Sequence, residues 1–192
     1  MEKKETGLAQ RGSRGERSGS EKTSTKRMKK MTEYGRQLAE KQKVKEMYGL
    51  REKQFRRFFA LARRSKEATG ELLLSLLEQR LDNVVFRLKL ATTRRQARQI
   101  VVHGHIVVNG KRVYSPSYLV AIDDEVGLAS RIESHESFMS QVVEKRMATA
   151  AKAPEWLEID KKGHKGRVLR LPVRTDIQTP IEEHLIVELY SK

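Results

Sequence analysis

RLDNVVFRLKLATTRRQARQIVVHGHIVVNGKRVYSPSYL, residues 80–119, decides the fold. Leu81, Val84, Val85 and Leu88 recur at helical spacing and predict a short amphipathic helix. Thr93 and Gln96 have the spacing of a capping box, so a second helix is expected to start at Thr93 and to turn Ala97, Ile100 and Val101 inward. Gly104 suits the end of that helix. The β-branched Ile106-Val107-Val108 runs into Asn109-Gly110, the pair a type I′ hairpin turn favours because both positions need positive φ. Arg112-Val113-Tyr114 is the expected return strand. Tyr118–Ile122 and Glu125–Leu128 read as further strands around an Asp123-Asp124 turn. Antiparallel pairing of such short pieces predicts a small sheet with the two helices packed on it.

The arginines of this stretch point to a ligand. Arg94, Arg95 and Arg98 sit in or just after the first turn of the second helix, where cations oppose the helix dipole. A bound phosphate would turn that penalty into a binding site. The plain alternative is a solvated arginine face. Guanidinium groups suit bidentate phosphate contact and stacking on bases, and Lys111 on the hairpin turn is placed to join them.

Upstream, residues 34–79 read as helices. Gln37–Met47 sets Leu38, Val44 and Met47 among lysines, and Tyr48-Gly49 stops it. Arg51–Arg64 places Phe55, Phe58, Phe59 and Ala62 on one face, and Glu71–Gln79 carries Leu72, Leu73, Leu76 and Leu77. These apolar residues build a helical core and leave a basic outer face. Residues 1–33 are rich in Gly, Ser, Thr, Lys, Arg and Glu, too polar to offset their ordering entropy, and read as a flexible basic tail. Downstream, His135–Ala151 reads as a helix. Trp156–Ile159 and Arg167–Leu171 read as strands around a Lys161–Gly166 turn, and Ile181–Tyr190 as a final helix. The fold class expected is α+β. It has a helical domain over 34–79 completed by 181–192, an inserted module with its extension over 80–180, and the disordered tail over 1–33.

The 192 residues carry 40 Lys+Arg against 25 Asp+Glu, a net charge of +15. Such a balance calls for a polyanionic partner, nucleic acid or an anionic membrane surface. Residues 1–33 hold net +5 and residues 34–66 net +8, so the bulk attraction is expected in the first third. The longest apolar runs, Phe58–Ala62 and Tyr118–Ile122, are far below the ~20 residues of a membrane span. There is no cysteine, which excludes disulfides, thiolate zinc sites and a cysteine nucleophile. His103 and His105 form an H-x-H pair with no third ligand at recognisable spacing, so no metal is expected; His105 is instead a candidate RNA contact. No P-loop, G-x-S-x-G or H-E-x-x-H motif occurs. Asp82 and Asp160 are isolated. No cofactor, small-molecule substrate or enzymatic activity is expected, nor any membrane association.

RLDNVVFRLKLATTRRQARQIVVHGHIVVNGK, residues 80–111, resembles the RNA-binding module named after small-subunit ribosomal protein S-four. That module also occurs attached to pseudouridine synthases, to a class of tRNA synthetases and to a heat-shock protein that binds ribosomal RNA. Two further segments narrow the resemblance. YGRQLAEKQKVKEMYGLREKQF (Tyr34–Phe55) resembles the helical start of the S-four family, and PIEEHLIVELYSK (Pro180–Lys192) its bacterial-type C-terminus. WLEID and the basic Arg167–Arg174 stretch fit between them, so the resemblance covers about residues 34–192. Residues 1–33 depart from the family's basic Tyr-x-Gly-Pro theme and lack the zinc-binding cysteines of some members.

The resemblance implies a structural constituent of the small ribosomal subunit in the cytoplasm. It implies a primary assembly protein that binds a multi-helix junction in the 5′ domain of small-subunit rRNA. It also implies a neighbouring protein, S-five, and a share in the channel through which mRNA enters and in translational accuracy. Carried over by position, the RNA-facing candidates are Arg36, Lys41, Lys43, Lys45, Arg51, Arg56 and Arg57, then Arg80, Arg94, Arg95, Arg98, Asn109 and Lys111. The alternatives are a stand-alone RNA-binding or RNA-modifying protein using the same module, and a DNA-reading helix-turn-helix over Leu81–Val102. The first lacks a spare segment for a catalytic domain, and the hairpin after Val102 argues against the second.

Overall fold

Thr32 caps α1 (Glu33–Met47), its hydroxyl accepting the Gly35 N–H at 3.2 Å. The structure, a computed structural model, describes residues 31–148 and 153–191; most of the tail expected over residues 1–33 and the end of the helix expected to reach Ala151 lie outside them. Then follow α2 (Glu52–Arg63), α3 (Thr69–Glu78), α4 (Leu81–Arg87), α5 (Arg94–Val102), β1 (Ile106–Val108), β2 (Lys111–Arg112) and β3 (Glu125–Leu128). Two short helices, α6 (Ser130–Glu133) and α7 (Glu136–Phe138), lead through a π-helical turn (Met139–Glu144) into α8 (Lys145–Ala148). The chain closes with β4 (Leu157–Asp160), β5 (Lys165–Val168), a 3-10 turn (Arg174–Asp176) and α9 (Glu183–Ser191).

Apolar side chains sort into two clusters. In one, Phe55, Phe58, Phe59 and Ala62 of α2 pack with Val44, Leu73, Leu74, Leu77 and Ile186, so the cluster draws on α1, α2, α3 and α9. Tyr190 of α9 stacks on Phe59 at 4.4 Å between centroids. In the other, Leu81, Val84, Val85 and Leu88 of α4 and Ala97, Ile100 and Val101 of α5 pack on Ile106, Val126, Leu128, Trp156 and Val168. The sheet beneath them is antiparallel throughout, in the order β2-β1-β3-β5-β4. A side chain at Gly166 in β5 would collide with Leu88 and with the Glu158 carbonyl, so the missing Cβ lets α4 lie directly on the strand.

Several expectations need correction. Tyr118–Ile122 is not a sheet strand. Its backbone instead meets the link between α3 and α4, with Leu81 N–H donating to the Tyr118 carbonyl at 2.8 Å and Val120 N–H to the Gln79 carbonyl at 3.1 Å. Pairing with residues 79–81 satisfies those groups in place of a sheet neighbour. β5 spans Lys165–Val168, not Arg167–Leu171, because Asp160 folds the preceding loop tightly by accepting the Lys162 and Gly163 N–H groups. The return strand after Asn109-Gly110 is Lys111–Arg112, with Val113 N–H still reaching the Ile106 carbonyl. The helix expected from His135 is broken into α7, the π turn and α8.

Glu52 ties three helices together. Its carboxylate takes Lys41 at 2.9 Å, Lys45 and Arg56 at 3.4 Å, and the Tyr190 hydroxyl at 3.1 Å. Burial alone would raise this carboxyl, but the hydrogen bonds from Lys41 and Tyr190 and the Lys41 charge outweigh it and hold the group at about 2, below its ordinary 4.5. A folded-state value below the unfolded one stabilises the fold above the unfolded value, and that contribution is lost as pH falls through the folded value. Urea-unfolding stability is therefore expected to drop between pH 4.5 and 2, and Glu52→Gln to flatten that drop. An unchanged pH profile in Glu52→Gln would assign the acid sensitivity elsewhere.

Candidate nucleic-acid interface

The turn between α1 and α2 faces the start of α5. Gly49, at φ +62°, reverses the chain after α1. Gly49 N–H donates to the Glu46 carbonyl at 3.0 Å and Leu50 N–H to that of Lys45 at 2.9 Å, a Schellman closure that needs the left-handed residue. Opposite, the Thr93 hydroxyl accepts the Gln96 N–H at 3.1 Å and starts α5. The Gln96 side chain turns back, its Oε1 accepting the Thr92 N–H at 2.7 Å, one residue before the helix cap of the expected box. Arg98 Nη1 crosses from α5 to the Gly49 carbonyl at 3.3 Å and so links the two sides.

A buried polar cluster fixes this juxtaposition. Glu78, 1% exposed, accepts from Tyr48 Oη at 2.7 Å, Asn83 Nδ2 at 2.7 Å, and Arg87 Nη2 and Nε at 2.7 and 3.0 Å. Burial and the Glu78 carboxylate push the Tyr48 phenol far above its ordinary value, so it stays a donor. Arg94 Nε donates to Asn83 Oδ1 at 2.8 Å, and its guanidinium lies 5.2 Å from the Tyr48 ring centre and 4.7 Å from that of Phe86. Next to it, Asp82 accepts Arg80 Nε at 3.0 Å and lies 3.8 Å from Arg98. Both clusters join α4 and α5 to the helices before them.

Beside these clusters lie three adjoining depressions, each sharing a lining residue with the next, that together make a groove. The first, about 910 Å³, lies between Lys45–Leu50 and Phe86, Thr92, Thr93, Arg94 and Arg95. The second shares Gly49 with it and adds Arg51, Gln54 and Arg98. The third shares Gln54 and continues along α2 past Arg57 and Arg64 to Ser117 and Leu119. Seven basic side chains line the groove against one carboxylate, Glu46. A trough of one sign between low-dielectric walls concentrates its potential on an anionic chain.

The expected residues do not all reach the groove. Arg51, Arg57 and Arg95 are exposed on the groove, with Lys45 and Arg98 half-buried beside them. Arg80 is 0% exposed and locked on Asp82, and Lys41 is 8% exposed against Glu52, so neither side chain has surface to offer an RNA. Arg94 is wedged between two rings as a strut. Arg36, Lys43 and Arg56 are exposed away from the groove lining, paired with Glu33, Glu40 and Glu52. On the hairpin, Lys111 is exposed, while both ends of the Asn109 side chain are committed to β3 and its approach. His105 is half-buried, its ring 6.0 Å from that of His103. Burial first, then the charges of His103, Arg131, His135 and Arg112, push its imidazole down. Among the described residues no three His, Asp or Glu side chains gather as metal ligands.

Arg64, Gln54 and Ser117 are groove residues the sequence did not single out. Arg57, Leu61 and Arg64 follow one another at four and three residues, the spacing of one helix face, and that periodicity was available. Ser117 had no such signal, since its place depends on the pairing of residues 118–120 with residues 79–81.

The family model for the "Ribosomal protein S4/S9 N-terminal domain" matches residues 3–78, and that for the "S4 domain" matches residues 79–126. The first match starts well inside the tail and extends the likeness beyond the residue-34 limit expected from the motifs. The chain is 52% identical over 164 residues to small ribosomal subunit protein uS4 of Acetivibrio thermocellus, covering 85% of this chain and 77% of that protein. It is 52% identical over 169 residues to uS4 of Aquifex aeolicus (86% and 79% covered) and 48% identical over 167 residues to uS4 of Halothermothrix orenii (87% and 79%). With half the residues identical across most of both chains, and with a basic groove where the two family models meet, the chain belongs to the uS4 family of small ribosomal subunit proteins.

Proposed function

We infer that this protein is a structural constituent of the small ribosomal subunit that binds small-subunit rRNA and serves translation there. The groove of Lys45, Arg51, Arg57, Arg64, Arg94, Arg95 and Arg98 carries the reading, because its run of basic side chains suits a sugar–phosphate backbone laid between α2 and α5. Arg51, Arg57, Arg95 and Arg98 are the principal phosphate contacts. Lys111 supplies a separate contact from the hairpin. The protein acts by shape and charge and not by catalysis.

The finer reading rests on the family resemblance. The RNA target is a multi-helix junction in the 5′ domain, bound early in assembly. The protein neighbours S-five and helps form the channel through which mRNA enters. The stand-alone RNA-modifying alternative is not favoured, because the segments outside the module also align with ribosomal relatives.

Binding to a 5′-domain rRNA fragment and to an unrelated duplex of equal length, titrated across salt, tests this reading. The junction is expected to bind at least about tenfold more tightly at moderate salt, with log affinity falling linearly in log salt as phosphate contacts release counterions. Equal affinity for the two RNAs would sink specific recognition.

A further inference from the structure

The groove changes character at its α2 end. Its last depression, about 450 Å³, is walled by Phe58, Ala60, Leu61 and Leu119 as well as by Gln54, Arg57, Arg64 and Ser117. Leu61 is 44% exposed there, an apolar side chain left open beside the exposed Ala60 and between the charged Arg57 and Arg64. A phosphate backbone gains nothing from apolar walls. A nucleobase does, because it has an apolar face to bury and a polar edge to hydrogen-bond. The volume lies in the range of about 300–1,000 Å³ found for small-molecule pockets and has room for a nucleobase.

Charge selects the same occupant. Arg57 and Arg64 stand on the cleft and no carboxylate lines it. Behind the lining, the Arg80 guanidinium lies 5.3 Å from the Phe58 ring centre. Arg80 is paired there with the Asp82 carboxylate, and Arg98, 3.8 Å from the same carboxylate, brings a further positive charge to the adjoining depression. Arg80 Nη1 is buried and makes no hydrogen bond. Apolar walls flanked by two arginines suit a ring attached to phosphates.

We propose that this cleft receives one unstacked base of the bound RNA. The base lies against Leu61, Phe58 and Leu119, its edge meets Gln54 and Ser117, and its flanking phosphates rest on Arg57 and Arg64. The proposal builds on the groove reading and adds a base-specific contact to it.

The chain has no cysteine, so Leu61→Cys supplies a unique thiol for a short photo-crosslinker. Ala60→Cys, exposed on the same wall, gives a second attachment point should the first variant fold poorly. With the labelled full-length protein on the 5′-domain rRNA fragment, the adduct is expected at one nucleotide, mapped by primer extension. An abasic substitution there is expected to weaken the unlabelled wild-type protein about tenfold, the loss of one stacked base. The same substitution is expected to cost the Leu61→Glu variant less than twofold. Adducts spread over many nucleotides, an abasic RNA that binds normally, or, in assembled subunits, an adduct to protein and not RNA would each overturn the base pocket and leave the groove reading standing. Failure of the unlabelled protein to prefer the rRNA fragment would overturn the groove reading itself.

Discussion

Replacing Arg51, Arg57 and Arg95 together by alanine is expected to weaken rRNA binding on the order of a hundredfold, at roughly 1 kcal/mol or more per phosphate contact. The slope of log affinity against log salt is expected to flatten by about two to three, because each lost contact releases roughly one counterion fewer. All three side chains are exposed, and surface substitutions of this kind usually change stability by less than about 0.5 kcal/mol. The loss would therefore appear in binding and not in unfolding. Arg80 and Lys41 give the contrasting control, since both are buried on carboxylates and should cost stability. Filter binding at several salt concentrations, with urea unfolding alongside, separates the two. If the triple variant keeps its affinity and salt slope, the RNA does not follow this groove.

Glu78→Ala is expected to destabilise the protein by about 3 kcal/mol or more, because it strands Tyr48, Asn83 and Arg87 without their shared acceptor. For a chain of this size that is a fall in Tm of roughly 6–12 °C. Arg87 keeps 24% of its side chain in solvent, which places the effect at the lower end of buried-pair losses. Glu78 belongs to α3 and Arg87 to α4, so the cluster ties the two hydrophobic cores together. Melting followed by Trp156 fluorescence, which reports the sheet core, and by far-ultraviolet circular dichroism should coincide in the wild-type protein. In Glu78→Ala the two curves are expected to separate. Coincident curves and an unchanged Tm would mean the cores are coupled by apolar contacts alone.

Local pattern made much of this molecule legible. The stripe Leu81-Val84-Val85-Leu88, the Thr93 cap and the Asn109-Gly110 turn each act over a few residues, and each appears where expected. The Tyr118–Ile122 segment shows the limit. Its composition suits a strand, but its partner is the helix link at residues 79–81, and no local pattern specifies that choice. The site was legible as charge but not as geometry. Arg80, Arg94 and Arg95 look alike in sequence, yet Asp82 buries the first, Tyr48 and Phe86 clasp the second, and only the third is open. Their fates depend on residues up to 46 positions away. Arg64 could have been read from its spacing with Arg57, whereas the cleft it borders exists only because Leu119 is drawn against α2.

The hairpin turn also sets how this protein ages. An asparagine followed by glycine is the pair most open to attack by the next backbone nitrogen on the side-chain carbonyl, which expels ammonia to form a cyclic imide that water then opens to an aspartate or isoaspartate. Here Asn109 Oδ1 accepts the Glu125 N–H at 2.9 Å and Nδ2 donates to Asp124 at 2.8 Å. The folded turn thus holds the amide toward β3 and away from Gly110. Deamidation belongs to the unfolded chain, and an aspartate at this position would face Asp124 with like charge where a donor now stands.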